Sequence, residues 1–124
     1  MSRIAVDAMG GDRGPEEVVA GAHDARSDDL TPVLVGPAGL DTLGLELVEA
    51  PDVIGMDEKP TDAVRTKPDS SLVVACRAVR EGKAEAVVSA GNTGAMLAAC
   101  LLEIRRLPGV RRPAIAVTIP SRSG

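Results

Sequence analysis

Apolar positions along the chain change their spacing several times, and each change predicts an element. Residues 3–7 (RIAVD) form a short apolar run and read as a strand. A glycine-rich stretch follows at 8–14. Val18, Val19, Ala22 and Ala25 then recur at helical spacing and predict a helix over 15–26. Pro15 suits its first position, and Glu16 and Glu17 fall in the first turn, where the helix dipole favours acids. A polar connection at 27–31 leads to a second strand at 32–36. A short helix is expected at 39–43, cut off by Gly44, and a third strand at 45–48. Strands and helices alternating in this way mark a parallel α/β sheet.

The pattern breaks at 51–68, which carries Pro51, Gly55, Pro60 and Pro68 and has room only for a short helix near 61–65. Irregular stretches of this length in a compact domain are commonly functional or mobile. Asp69, Ser70 and Ser71 then signal a helix start. Leu72, Ala75, Cys76 and Val79 form its inner face, Arg77, Arg80 and Lys83 its outer one, and Gly82 closes it. Residues 85–89 are a buried-type strand, 91–94 a glycine-rich turn, and 95–102 a helix without a charged residue, expected to be buried all round. Asn92 or Thr93 is its N-cap. Pro108 and Gly109 stop this unit, 113–119 reads as a last strand, and 120–124 as a loop. A doubly wound sheet normally continues past such a strand, so 1–124 is expected to be the N-terminal part of one larger α/β domain.

Composition narrows the function classes. With 44% hydrophobic and 26% charged residues, the chain is an ordinary globular sequence. It has no Phe, Tyr or Trp, so the core is aliphatic and no base-stacking platform exists. A net charge of −4 argues against nucleic-acid binding. Cys76 and Cys100 lie in helices among apolar neighbours and read as small buried hydrophobes rather than redox or nucleophilic groups. No CxxC or secretory signal occurs, which favours a reduced cytoplasm. His23, the single histidine, reads as a surface or packing residue. Ligands for a metal are too few, and no metal or cofactor is expected. The longest uncharged apolar run is too short to cross a bilayer.

Candidate chemistry concentrates in the two glycine-rich turns. In open parallel sheets, ligands bind beyond the carboxyl ends of the strands, where both turns belong. The first carries Asp7 and Asp12 and suits a hydroxyl, an amide or a cation. The second has no acid from 89 to 102, and a helix N-terminus there presents unpaired N–H groups to an anion such as phosphate. Asn92 is the only asparagine. The competing view is that any doubly wound domain needs glycine at such turns. Lys59, Arg65 and Lys67 either reach a bound anion or are ordinary surface charges. GxGxxG, GxxxxGK[ST] and GxSxG are all absent. The residues alone thus support an α/β domain that binds an anion.

Three motifs carry a resemblance further. DAMGGDRGP (7–15), KPDSSL (67–72) and SAGNTGA (89–95) occur in an order and spacing that closely resembles the PlsX family, the phosphate acyltransferases of bacterial phospholipid synthesis. The likeness runs along the whole chain, although family members are much longer. It implies a three-layer α/β/α sandwich with a mostly parallel sheet, related to phosphotransacetylases and isocitrate-type dehydrogenases. It also implies transfer of a long-chain fatty acyl group from acyl carrier protein to inorganic phosphate. The acyl phosphate then passes to a membrane-bound glycerol-3-phosphate acyltransferase. Family proteins are homodimeric, cytoplasmic and peripherally membrane-associated. Where the family usually carries His, this chain has Arg13, which stays protonated; a general base there would be lost, whereas a phosphate contact would be kept.

This chemistry nominates Asn92, Arg13 and Lys67 as catalytic residues. Asp7, Gly10, Gly11, Asp12, Arg65, Ser89, Gly91, Thr93 and Gly94 are nominated for phosphate or substrate binding. The N–H groups of 91–94 are expected to hold phosphate or an oxyanion, Asn92 to orient it, and Arg65 or Lys67 to close over it. Arg105, Arg106, Arg111 and Arg112 either dock the acidic carrier protein or form a plain helix end and solvated loop. Two rivals stand: a phosphotransacetylase- or dehydrogenase-like enzyme on the same fold, and a non-catalytic anion-binding module. The isolated chain is expected to be inactive and prone to associate.

Overall fold

A computed structural model describes residues 1–122; Ser123 and Gly124, the tip of the expected 120–124 loop, lie outside the described residues. Four strands pair in the order β3-β2-β1-β4, all parallel. β1 (Ser2–Asp7) runs beside β2 (Leu30–Gly36), with Ser2 opposite Leu30 and Asp7 opposite Val35. β3 (Glu46–Glu49) flanks β2, and β4 (Ala86–Val88) flanks β1. The described residues also form four helices: α1 (Gly14–Ala25) between β1 and β2, α2 (Pro60–Thr66) and α3 (Ser71–Arg80) between β3 and β4, and α4 (Thr93–Glu103) after β4.

Side chains alternate across the pleat, so each strand feeds both faces of the sheet. Val6, Leu34 and Leu47 pack toward α1, against Val19 and Ala22. Ala5, Val35, Val48 and Val87 face Ala75, Ala78 and Val79 of α3. Burial on both faces explains why β2 reads as an unbroken apolar run. α2 and α4 then pack on α3, where Ala63, Val64, Leu72, Val73, Cys76, Ala95 and Ala99 form a helix-only cluster. The result is the expected parallel α/β architecture, with α1 on one face of the sheet and α2, α3 and α4 on the other. Each fully buried leucine or valine here contributes roughly 1.5–3 kcal/mol.

Three expectations are corrected. Residues 39–43 form turns, not a helix, because Gly39, Leu43 and Gly44 all take positive φ, which a right-handed helix cannot hold. Residues 113–119 form no strand; they stay exposed, and Pro113, Ala114 and Ile115 lie along α4 instead of pairing with β4. α4 is not buried all round. Ala95, Ala99 and Glu103 form its buried stripe, while Leu101 and Leu102 are exposed, because α2 and α3 cover one side only. No helix among the described residues is long and apolar enough to cross a membrane.

The irregular 51–68 stretch is less loose than its prolines suggest. Asp52 forms a parallel bridge with Ser70, Ser71 N–H donates to Asp52 O at 2.9 Å, and Ile54 is buried. These contacts fix the stretch to the start of α3 and set up the strap described next.

Candidate active site

The site begins where β1 stops. Asp7, the last residue of β1, is only 3% exposed, and it survives burial because three donors converge on its carboxylate. Ser71 Oγ donates to Oδ1 at 2.5 Å, Met9 N–H donates to Oδ1 at 3.2 Å, and Ser89 Oγ donates to Oδ2 at 2.8 Å. Ser89 Oγ in turn accepts from Gly91 N–H at 3.1 Å. One carboxylate thereby locks together the end of β1, the first turn of α3 and the turn after β4.

The two glycine-rich turns touch. A Cβ at Gly10 would lie 2.8 Å from both Asp7 Oδ2 and the Gly91 nitrogen, and 2.9 Å from Ser89 Oγ. Only glycine permits that approach, and Gly11 sits against Ala90. Because β1 and β4 are neighbours, the two turns converge at the carboxyl edge of the sheet. The second turn is nevertheless not free of acid: its local sequence is, but the fold places the Asp7 carboxylate directly beneath it.

Asn92 is the N-cap of α4, as its position suggested. Its Oδ1 accepts from Ala95 N–H at 3.1 Å. Both hydrogens of its amide point the other way, to Gly55 O at 3.2 Å and Glu58 O at 3.0 Å. Asn92 is thus a clamp between α4 and a strap formed by residues 55–58. Lys67 tightens the same strap: its Nζ donates to Glu58 Oε2 at 2.8 Å and to Val53 O at 2.9 Å, and Gly55 N–H donates to the same Glu58 oxygen. Lys67 and the Gly55 N–H hold the Glu58 carboxyl below its ordinary range. Gly94 lies where α2 begins; a Cβ there would come within 2.6 Å of Pro60 Cγ.

These bonds decide which groups can face a ligand. Gly91 N–H is committed to Ser89, and the Asn92 amide to the strap. The N–H groups of Thr93 and Gly94, in the first turn of α4, have no acceptor among the described residues, and Thr93 is exposed. Beside them opens a groove of about 590 Å³, lined by Ser89, Gly91, Thr93, Met96, Leu97 and Cys100 on one side and by the 105–115 segment on the other. Leu107, Val110 and Ile115 make that second wall apolar, while Arg105, Arg106 and Arg112 add positive charge.

Other nominated residues lie apart. Asp12 and Arg13 are exposed, and neither bonds to a described residue; Arg13 occupies the N-cap position of α1 without a side-chain cap bond. Arg65 is not over the glycine turn. It lines a different groove, of about 730 Å³, near the C-terminal end of α4, with Arg105, Arg106 and Arg111 around Val64, Leu101 and Leu102. His23 is exposed on α1, 3.5 Å from Asp24. Ser71 is the functional candidate that sequence reasoning missed. It sat within the KPDSSL motif but read only as a helix-start signal, and nothing local shows that it meets Asp7.

An open parallel α/β sheet with glycine-rich turns clustered at the carboxyl edge defines an α/β protein of the doubly wound class. The comparisons specify it further: the description of the family "Fatty acid synthesis protein" matches residues 2–124, and the chain belongs to that family. It is 48% identical over 134 residues to a phosphate acyltransferase of Desulfitobacterium hafniense (strain Y51), covering all of this chain and 40% of that protein. It is 51% identical over 126 residues to a phosphate acyltransferase of Levilactobacillus brevis, covering 95% of this chain and 36% of the relative. A third, from Fervidobacterium nodosum, is 52% identical over 139 residues, covering 98% of this chain and 40% of the relative. The chain thus spans about two fifths of the length of the curated relatives it matches.

Proposed function

We propose that this chain supplies the phosphate- and acyl-binding part of an enzyme that moves a long-chain fatty acyl group from acyl carrier protein to inorganic phosphate. The observation that carries this reading is the junction of two features. The first turn of α4 leaves the Thr93 and Gly94 amides unpaired at the positive end of the helix, and Thr93 lines an apolar groove of about 590 Å³. An anion and an aliphatic chain fit side by side there.

The chemistry needs no cofactor. A phosphate oxygen attacks the thioester carbonyl carbon, the carbonyl oxygen gains charge, and the C–S bond then breaks. The acyl phosphate forms, and the carrier thiolate leaves and takes up a proton. The protein's task is to hold a dianion, align it and stabilise the oxyanion. Thr93 and Gly94 N–H are the donors in this reading. Ser89 is held in place by Asp7, and Asp7 by Ser71. Asn92 shapes the turn instead of touching phosphate, because its amide is spent on the strap.

Arg105, Arg106 and Arg112 on the groove, with Arg111 nearby, suit an acidic carrier protein. The same reading carries homodimerisation, a cytoplasmic site at the membrane surface, and delivery of product to a membrane-bound glycerol-3-phosphate acyltransferase. The family name and the names of the relatives support its coarser part, an acyltransferase of lipid synthesis that uses phosphate.

The test extends the chain to the length of its relatives and traps acyl phosphate with hydroxylamine after incubation with palmitoyl–acyl carrier protein and phosphate. Phosphate-dependent acyl hydroxamate is the expected product. Turnover of an acyl-CoA alone would favour a phosphotransacetylase, and phosphate binding by a folded protein without turnover would favour a non-catalytic module.

A further inference from the structure

The two cysteines, 24 residues apart in sequence, meet in space. Cys76 on α3 and Cys100 on α4 place their sulfurs 3.8 Å apart. Their surroundings differ. Cys76 is wholly buried within the helix cluster, whereas Cys100 is half-buried and lines the groove that begins at Ser89 and Thr93. We infer that Cys76 and Cys100 form a thiol–disulfide exchange site, with Cys100 the attacking thiol, Cys76 the resolving thiol, and a low-molecular-weight disulfide as co-substrate.

The geometry assigns the roles. Only Cys100 opens to the groove, so an incoming disulfide meets Cys100 first. The two sulfurs share a hydrogen bond in which either can donate, and once Cys100 ionises the Cys76 thiol is the donor. That bond brings the Cys100 thiol down to about 7. The same pairing, burial, and the nearby Glu103 and Asp7 carboxylates push the Cys76 thiol up, so Cys76 waits as a thiol until its partner has reacted.

The steps balance without any further reagent. Cys100 thiolate attacks one sulfur of a disulfide RSSR; a mixed disulfide forms and RS⁻ leaves. Cys76 loses its proton and attacks Cys100 Sγ, the Cys76–Cys100 bond forms, and the second RS⁻ leaves. Two thiols are oxidised and one RSSR is reduced to two RSH. The sulfurs must close from 3.8 Å to the bonding distance of about 2.05 Å. The bond would tie α3, which begins with the Asp7 partner Ser71, to α4, which begins at the glycine turn. Oxidation of the pair thereby reaches both ends of the candidate site. This inference stands apart from the acyl-transfer reading.

Dithiodipyridine added to the folded, reduced 124-residue chain tests it. Release of thiopyridone is followed by absorbance, and the product is mapped by peptide mass spectrometry. Wild type is expected to release two equivalents per chain and to yield a peptide cross-linked between Cys76 and Cys100. Cys76→Ser is expected to release one equivalent and to keep a stable mixed disulfide on Cys100. Cys100→Ser is expected to react at least about tenfold more slowly, since only the buried thiol remains. A stable mixed disulfide on the wild-type protein, no reaction at all, or a Cys100→Ser variant as fast as wild type would overturn the inference. The cross-linked wild-type peptide decides the matter even where a serine variant fails to fold, because two independent thiols would also release two equivalents but would each keep a mixed disulfide.

Discussion

Asp7 shows what a single residue can do once its partners are known. The sequence marks it as an acid at the end of a strand, suited to a hydroxyl or an amide. The structure supplies two hydroxyls and one amide: Ser71, Ser89 and the Met9 N–H. Ser71 lies 64 residues from Asp7 and Ser89 lies 82 residues away, so no local pattern announces either contact. Asn92 was legible as a cap, because capping depends on the next three residues. Its second role was not, since that depends on carbonyls more than 30 residues back. Lys67 and Arg65, nominated as cations that close over an anion, are instead a strap fastener and a wall of a separate groove.

A prediction follows at this scale. Ser71→Ala removes a donor from a buried carboxylate and is expected to cost about 1–3 kcal/mol. A urea midpoint measured in a protein of the relatives' length reads that loss directly. An unchanged midpoint would mean that Asp7 is satisfied without Ser71.

At the scale of elements, the sequence was most informative where one local signal decides. Apolar spacing located the four strands and, apart from α2, the helices found among the described residues; α2 was expected only as a short helix for which 61–65 has room, and the glycine turns marked the carboxyl edge. It failed where an element depends on what lies beside it. Residues 113–119 have strand-forming residues but no partner strand among the described residues. α4 has an uncharged sequence but only one covered side. Even Glu103, just past the uncharged stretch, is buried, because Arg77 and Arg80 of α3 reach it. The 51–68 stretch looked irregular because its order comes from tertiary bonds to Ser70, Ser71 and Asn92 rather than from any repeat.

The strap at 55–58 makes an element-scale prediction about pH. Lys67 and the Gly55 N–H lower the Glu58 carboxyl relative to its unfolded value. Its contribution to holding the strap is therefore present above the ordinary glutamate range, about 4.3, and is lost as pH falls through the lower folded value. The Gly55 amide resonance is expected to titrate with a midpoint below that of a free glutamate, and Lys67→Met is expected to move the midpoint up. A midpoint indifferent to Lys67→Met would show that the ion pair does not hold the strap.

The whole molecule carries unspent surface. Val88, Leu101, Leu102, Leu107, Val110, Ile115, Val117 and Ile119 are all exposed, and the outer side of β4 pairs with no described strand. Apolar surface and an open sheet edge on this scale favour association. The chain also spans about two fifths of the length of its relatives. The 124-residue chain is therefore expected to self-associate with rising concentration in sedimentation and to bind a hydrophobic dye. The same residues within a protein of the relatives' length are expected to lose most of that dye binding. A monodisperse, dye-silent short chain would contradict this.

The central claim is that phosphate is held by the first turn of α4, next to an apolar groove. Its most direct test is a phosphate titration followed by backbone amide resonances in the protein of the relatives' length. The account predicts the largest shifts at Thr93 and Gly94, with Gly91 nearly unmoved because its N–H already serves Ser89. Shifts centred instead on the glycine-rich turn after β1, at Gly11 to Arg13, or no saturable shift anywhere, would contradict it.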